Sequence, residues 1–338
     1  MTPTDNPVTP ERILQMAWGY APPLILEAAI RHRVFDVLDG GPKTLDELQK
    51  ETGASKRGLA AIANVLVGLN LLAKDVQGRF SLTPESAAFL VSTRPGFQGG
   101  LLRHTSEDLI PKWLHLNQIV ATGNPAQPVN QKETGSEFFR KFVNDIFPLS
   151  YPPAQFLARY LAIDPAHAPV RVLDLGAGSG VWGIALAQSS TGVHVTAVDW
   201  SEVIPVTRET VARFKLSDQF SFLEGDLLEA EFGSGYNVVT LGQILHSEGV
   251  ERSRALLARC FQSLASGGTI AIAEFLVNPD RTGPMNGLIF AVNMLVNTQN
   301  GDTYAFEEIA SWLSDAGFAN ARTVESPGPS PLILATKP

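Results

Sequence analysis

The chain has 338 residues, of which 44% are hydrophobic and 18% charged, with a formal net charge of −8. This describes a soluble globular protein long enough for two domains, and the acidic balance argues against nucleic acid as a main partner, since phosphate binding needs a basic face. The single cysteine, Cys260, excludes an internal disulfide and fits a reducing, cytoplasmic compartment. It lies at helical spacing with Leu256, Leu257, Phe261 and Leu264, the setting of a core thiol. No apolar run approaches the roughly 20 residues of a membrane helix, and Met1–Pro7 lacks the basic-then-apolar design of a signal segment.

From residue 10 the pattern is helical. Ile13, Leu14, Ala17 and Trp18, then Leu24, Leu26, Ala29 and Ile30, then Val34, Phe35, Val37 and Leu38 predict short amphipathic helices. Gly40-Gly41-Pro42 interrupts them, and Thr44 with Glu47 three residues later signals a capping box. Gly53 closes that helix, and Ser55 opens another that runs to Leu69. Leu71–Lys74 and Arg79–Leu82, around a polar turn, predict a β-hairpin. Helices followed by a hairpin make a winged-helix arrangement over residues 1–95. Its presumed third helix carries only Lys56 and Arg57 before a mostly apolar run, so packing against another subunit or domain is expected rather than DNA contact.

Residues 96–165 form a connector, with a helix-like stretch near Asp108–Val120 and a second from 136 that ends at Asp164-Pro165. From 166 to 338 strands and helices alternate. Strands are predicted at 170–175, 193–198, 220–223, 236–241 and 269–277, with helices at 182–188, 203–215, 249–264 and 305–316 and a terminal hairpin at 321–336. Such alternation means an α/β fold with a parallel sheet covered by helices on both faces, and ligands bind beyond the carboxyl ends of its strands.

The most informative segment is Val170-Arg-Val-Leu-Asp-Leu-Gly-Ala-Gly-Ser-Gly180, an apolar strand entering a loop with glycine at 176, 178 and 180. Glycine there lets the backbone turn and approach a ligand without a Cβ in the way. Gly178, Gly180 and Gly183 also satisfy the dinucleotide pattern G-x-G-x-x-G, a weak signal by itself. Three carboxylates bear on the choice between S-adenosylmethionine and a nicotinamide dinucleotide: both readings predict Asp199, while Asp174 and Asp226 favour S-adenosylmethionine. Asp174 precedes the loop, where it would repel a diphosphate but suit an ammonium group. Asp199 ends the second strand, placed for ribose hydroxyls, and Asp226 follows the third, placed for an adenine amino group.

These motifs, with Val-Asp-Trp at 198–200, Glu-Gly-Asp-Leu at 224–227, Ile-Leu-His at 244–246 and Ser-Gly-Gly-Thr-Ile at 266–270, resemble the class I S-adenosylmethionine-dependent small-molecule O-methyltransferases. Nearly the whole chain after residue 10 is similar to the plant and bacterial caffeate- and hydroxyindole-type enzymes. The resemblance implies a Rossmann-like seven-stranded sheet whose last strand is antiparallel, and a homodimer formed through the N-terminal winged-helix domain. It also implies S-adenosylhomocysteine as product and no metal. Leu227 beside Asp226, Trp200 beside Asp199, and Gln243 before His246 complete the expected cofactor site.

His246 follows the fourth strand at the carboxyl edge, and in the resembled family this histidine is the general base that takes the acceptor's hydroxyl proton. Glu274, at the end of the next strand, is placed to hold its tautomer and stabilise the imidazolium. Two departures stand out. Related enzymes commonly carry His-Asp-Trp where this chain has His246-Ser247-Glu248, and a Gly-x-Glu-Arg-Thr stretch where it has Gly301-Asp302-Thr303-Tyr304-Ala305. Asp302 and Glu248 are thus candidates for a missing second acid. His104, Trp113, Phe290, Asn293, Met294 and Tyr304 are candidate pocket residues for a small, fairly apolar acceptor. His32, His167 and His194 have no partners at ligand spacing. The alternatives left open are a carbon or sulfur acceptor, such as a 2-oxo acid or thioether, and a non-catalytic winged-helix regulator.

Overall fold

The computed structural model describes residues 8–125, 127–130, 132–162 and 169–338, with side chains omitted for 132–134. Met1–Pro7, the Asp164-Pro165 pair and His167 lie outside these residues. The chain divides into two compact units, Met1–Pro111 and Lys112–Pro338.

In the first unit helices span Glu11–Ala17, Ala21–Arg31, Val34–Asp39, Leu45–Thr52 and Lys56–Gly68. The capping box is present: Thr44 Oγ1 accepts the Glu47 N–H, and Glu47 Oε2 accepts the Thr44 N–H at 2.7 Å. Gly53 ends the helix with a left-handed φ of 73°, and Ser55 caps the next by accepting the Gly58 N–H. The hairpin Leu72–Lys74/Phe80–Leu82 is antiparallel. Phe35, Leu48, Leu59, Leu66 and Phe80 meet in one core. The helix Glu11–Ala17 adds nothing to it: Ile13, Leu14 and Met16, with Trp18 and Tyr20 just beyond, remain exposed.

In the second unit helices α1 (Lys132–Asp145) and α2 (Phe147–Leu161) precede the sheet. Its strands are β1 (Val170–Leu175), β2 (Val193–Asp199), β3 (Phe220–Glu224), β4 (Tyr236–Gly242), β5 (Leu264–Ala273), β6 (Ala319–Val324) and β7 (Leu332–Thr336), in the spatial order β6-β7-β5-β4-β1-β2-β3. β1 to β5 are mutually parallel, and β7 runs antiparallel to both β5 and β6. Val172, Leu173, Val239, Leu241, Ile270 and Ile272 are buried, as in a sheet covered on both faces. Helices α3 (Val181–Ala187), α4 (Ile204–Arg213) and α5 (Leu245–Ser263) supply the cover together with α2 and a later helix α7 (Phe306–Asp315), while α6 (Met285–Asn297) packs beside the Leu276–Val277 segment. Cys260 is fully buried in the core beside Leu256 and Leu257.

Three boundaries differ from expectation. The helix-like stretch near 108–120 is divided into a π-helical turn Thr105–Leu109, a short helix Ile110–Trp113 and a helix Leu116–Thr122. The strand expected over 269–277 starts at Leu264 and stops at Ala273; Leu276–Val277 pairs instead with Tyr304–Ala305. The helix expected from 249 begins four residues earlier, and Gly249 breaks it with φ 78° and ψ 170°. Among the described residues no helix is long and apolar enough to cross a membrane.

Candidate active site

β1 delivers the chain into the glycine loop. Gly176, Gly178 and Gly180 have φ of 61°, 56° and 78°, a region that strains any residue with a Cβ. Space is restricted as well: a Cβ on Gly176 would fall 2.3 Å from Ile244 Cδ1, and one on Gly178 would fall 3.2 Å from Val143. The loop is held from within. Asp199 Oδ2 accepts the Gly178 N–H at 2.7 Å, Ala177 N–H donates to Val198, and Gly180 N–H donates to Ala177.

The three acids occupy different environments. Asp174 is fully buried behind the loop, where Oδ1 accepts from Thr240 Oγ1 at 2.6 Å and Oδ2 from the Gly183 N–H at 3.0 Å. Its oxygens thus face β4 and the first turn of α3. Burial pushes its carboxyl up to about 7 against these two hydrogen bonds. Asp199 is partly buried at the end of β2, where it also accepts the Trp200 N–H at 2.7 Å; burial raises it to about 6. Asp226 is more open and accepts from the Leu228 N–H at 2.8 Å and from Arg252 at 2.9 Å. Leu227 is buried in the core. Trp200 packs edge-on against Phe139 of α1, with Val143, Val203 and Val206 around them.

His246 and Glu274 come together as a buried pair, Nδ1 lying 2.7 Å from Oε2. The other carboxylate oxygen faces the His246 backbone N–H at 3.3 Å. The imidazole stands edge-on to Phe290, 4.9 Å between centroids, and Phe290 stacks on Phe275 at 4.0 Å. The strand–turn–helix course places the pair: β4 ends at Gly242, Gln243 takes a left-handed φ of 65°, and α5 begins at Leu245. Gln243 Nε2 donates to Ser330 Oγ at 3.0 Å, while its Oε1 is buried without a partner among the described residues.

Neither replacement acid bonds the imidazole. Glu248 receives Arg252 Nε at 2.6 Å. Asp302 donates its N–H to the His246 carbonyl and accepts the Thr303 N–H. Thr303 itself donates to the Gly287 carbonyl.

The pocket candidates separate. Trp113 Nε1 donates to Asn293 Oδ1 at 3.1 Å, and Asn297 joins them, bonded in turn by Lys112. Met294 is buried. Tyr304 sits in the core, edge-on to Trp312. His104 belongs to the first unit, its Nδ1 lying 3.0 Å from Asp108. Sequence reasoning missed Phe275, Phe139 and Arg252. Only Arg252 left a local signal, four residues after Glu248. Among the described residues, no three His, Cys, Asp or Glu side chains gather as metal ligands.

A glycine-rich loop flanked by the partly buried Asp199 and by Asp226 is an acceptor-rich, anionic setting. Its acceptors suit a ligand that brings hydroxyl and amino groups. Known proteins agree. The model of the O-methyltransferase domain matches residues 162–319, and that of the O-methyltransferase dimerisation domain matches residues 14–92. The 3-hydroxy-5-methyl-1-naphthoate 3-O-methyltransferase of Streptomyces sahachiroi is 30% identical over 335 residues, 97% of this chain and 95% of that one. The tetracenomycin polyketide synthesis 8-O-methyl transferase TcmO of Streptomyces glaucescens is 29% identical over 342 residues, 100% of each. A solved structure from Nostoc punctiforme, assigned as an O-methyltransferase, has a TM-score of 0.89 at 26% identity and covers 98% of this chain and 100% of its own. The chain belongs to the S-adenosylmethionine-dependent O-methyltransferase family.

Proposed function

We propose that this enzyme methylates a hydroxyl on a small aromatic acceptor, with His246 as the general base and Glu274 as its orienting partner. The observation that carries this reading is the buried 2.7 Å contact between His246 Nδ1 and Glu274. A carboxylate there accepts the Nδ1 proton, which leaves Nε2 with a lone pair for the acceptor hydroxyl. A phenol titrates near 10 and free imidazole near 6.5, so complete transfer in water is uphill by roughly 5 kcal/mol. His246 therefore takes the proton as the oxygen's new bond forms, and Glu274 stabilises the cation that results.

Phe275 and Phe290 supply an apolar wall beside the imidazole, suited to a flat ring. The two Streptomyces relatives support an aromatic acceptor, since one is named for a hydroxynaphthoate and the other for a tetracenomycin polyketide. On the same helix as Phe290, α6, Asn293 accepts from the Trp113 indole and forms a polar margin.

Asp199 would accept from the ribose hydroxyls and Asp226 from the adenine amino group, with Trp200 and Leu227 as apolar neighbours. The glycine loop would lie along the methionyl part, and Gln243 Oε1 offers a buried acceptor close by. When bound, S-adenosylmethionine supplies a methyl group on a sulfonium, which a correctly aligned oxygen displaces. Asp174 acts from behind, fixing the first turn of α3 against β4.

Residues 1–95 would form the dimerisation domain, 96–165 the connector and 166–338 the catalytic domain. The exposed Ile13, Leu14, Met16 and Trp18 give the first of these an apolar face for a second copy.

The test is turnover of a panel of hydroxylated naphthoates and polycyclic phenols by the wild-type protein and by His246→Ala. Methylation by the wild type, with loss of about a hundredfold or more in the variant at unchanged S-adenosylhomocysteine affinity, is expected. Full activity without His246 would refute the base.

A further inference from the structure

His246 does not sit on a continuous helix. Gly249, with φ 78° and ψ 170°, cuts the turn Leu245–Glu248 from the rest of α5. A Cβ there would fall 2.8 Å from that of Asn300, so a side chain is excluded by packing as well as by backbone conformation. The carbonyls leading through this turn find partners outside the helical ladder. Ile244 accepts from the Ser247 N–H and Oγ, and Leu245 accepts from Ser253 Oγ at 3.2 Å. His246 accepts from the Asp302 N–H at 2.9 Å, and Ser247 from Asn130 Nδ2 at 2.8 Å.

One side chain spans the break. Arg252, beyond Gly249, donates Nε to Glu248 Oε2 at 2.6 Å, and Glu248 is the last residue of the His246 turn. The same guanidinium donates Nη2 to Asp226 at 2.9 and 3.1 Å. Asp226 leaves β3 and is anchored separately by the Leu228 N–H. A Glu–Arg pair four residues apart on an ordinary exposed helix contributes little. Here one residue between the partners, Gly249, is not helical, and Glu248 is only 13% exposed, so the pair bridges a break in the helix.

We propose that Arg252 is a positioning residue that couples the two halves of the site, clamping the His246 turn through Glu248 while holding Asp226 on the cofactor side. The proposal rests on the O-methyltransferase reading of Asp226 and His246. One cation between two acids also removes the repulsion that Glu248 and Asp226 would otherwise exert on each other. A planar fork with several donors suits both at once, whereas a lysine ammonium is a point charge.

The test uses the full chain, with calorimetric binding of S-adenosylhomocysteine and amide hydrogen exchange at Ser247–Val250 in the unliganded protein. Arg252→Gln is expected to weaken binding by about tenfold, the worth of one charge-assisted hydrogen bond, and to accelerate exchange in the turn. Arg252→Lys is expected to recover one effect and not both. A change in only one readout for Arg252→Gln, or in neither, overturns the coupling. Should that variant not fold, Glu248→Gln addresses the clamp alone. It should speed exchange at Ser247–Val250 while binding stays within twofold, and unchanged exchange overturns the proposal. Wild-type protein that fails to bind S-adenosylhomocysteine would instead refute the parent reading of the cofactor site, an outcome visible before any variant is compared.

Discussion

Trp182 lies directly against Gly242: a Cβ built on that glycine would fall 1.8 Å from the indole Nε1. The two residues belong to α3 and to the end of β4, so the ring reaches the carboxyl edge where the chain turns toward His246. Gly242 is required here by close approach of a side chain rather than by a left-handed backbone.

Gly242→Ala should therefore destabilise the protein by about 1–3 kcal/mol through overpacking, and Trp182→Ala by about 3–5 kcal/mol through loss of a buried ring. The double variant should cost less than the sum of the two, because removing the indole makes room for the methyl group. Thermal unfolding of the three variants checks this, and strict additivity would show that the contact carries no energy.

Asp174 makes a prediction about stability and pH. Its folded carboxyl titrates near 7, above the ordinary value of 3.8, so the folded state retains the proton to higher pH than the unfolded chain. The resulting stabilisation is complete below about 3.8, fades as pH rises, and is gone above about 7. In Asp174→Asn the amide oxygen can still accept from Gly183, and its NH2 can donate to Thr240, whose hydroxyl can turn to the Leu173 carbonyl. The variant's melting temperature relative to wild type should be more favourable at pH 8 than at pH 5. A difference that stays constant with pH would contradict this.

Asp199 gives a second pH effect, on binding. Burial raises its carboxyl to about 6 in the unliganded protein, and the proposed ribose contact needs the ionised form. Affinity for S-adenosylhomocysteine should hold near pH 8 and fall as pH drops through 6 toward 5. Asp199→Asn should bind more weakly and flatten that dependence. Calorimetry at four pH values decides the matter; a wild-type profile level from 8 to 5 would exclude Asp199 as the titrating contact.

For Glu274, replacement by glutamine keeps the shape and removes the charge that steadies the imidazolium. Turnover should fall by roughly a hundredfold or more. S-adenosylhomocysteine affinity should be little changed, since Glu274 faces His246 and not the glycine loop. Retention of near wild-type turnover in single-turnover kinetics would remove Glu274 from the mechanism.

Much of this protein is readable without coordinates because the signals are local. The Thr44–Glu47 capping box, the Ser55 cap, the apolar strands and the three loop glycines each involve residues within a few positions of one another, where backbone geometry translates directly into residue type. The motif order after residue 170 likewise predicts the sheet and its antiparallel last strand through the resemblance it carries. Side-chain partnership is another matter, because it depends on which strands become neighbours. Asp174 stands in sequence next to the glycine loop, yet its partner Thr240 is 66 residues away on the adjacent strand, and burial turns its carboxylate away from the open edge. Arg252 meets Asp226 across 26 residues, and Trp182 fills the space above Gly242 across 60. The chain alone determined the fold, the methyl-donor class and the histidine to watch. Only the tertiary packing decided that Asp174 turns back toward β4 and α3, how closely Glu274 meets that histidine, and which side chains gather around its single turn, because these contacts join residues distant in sequence.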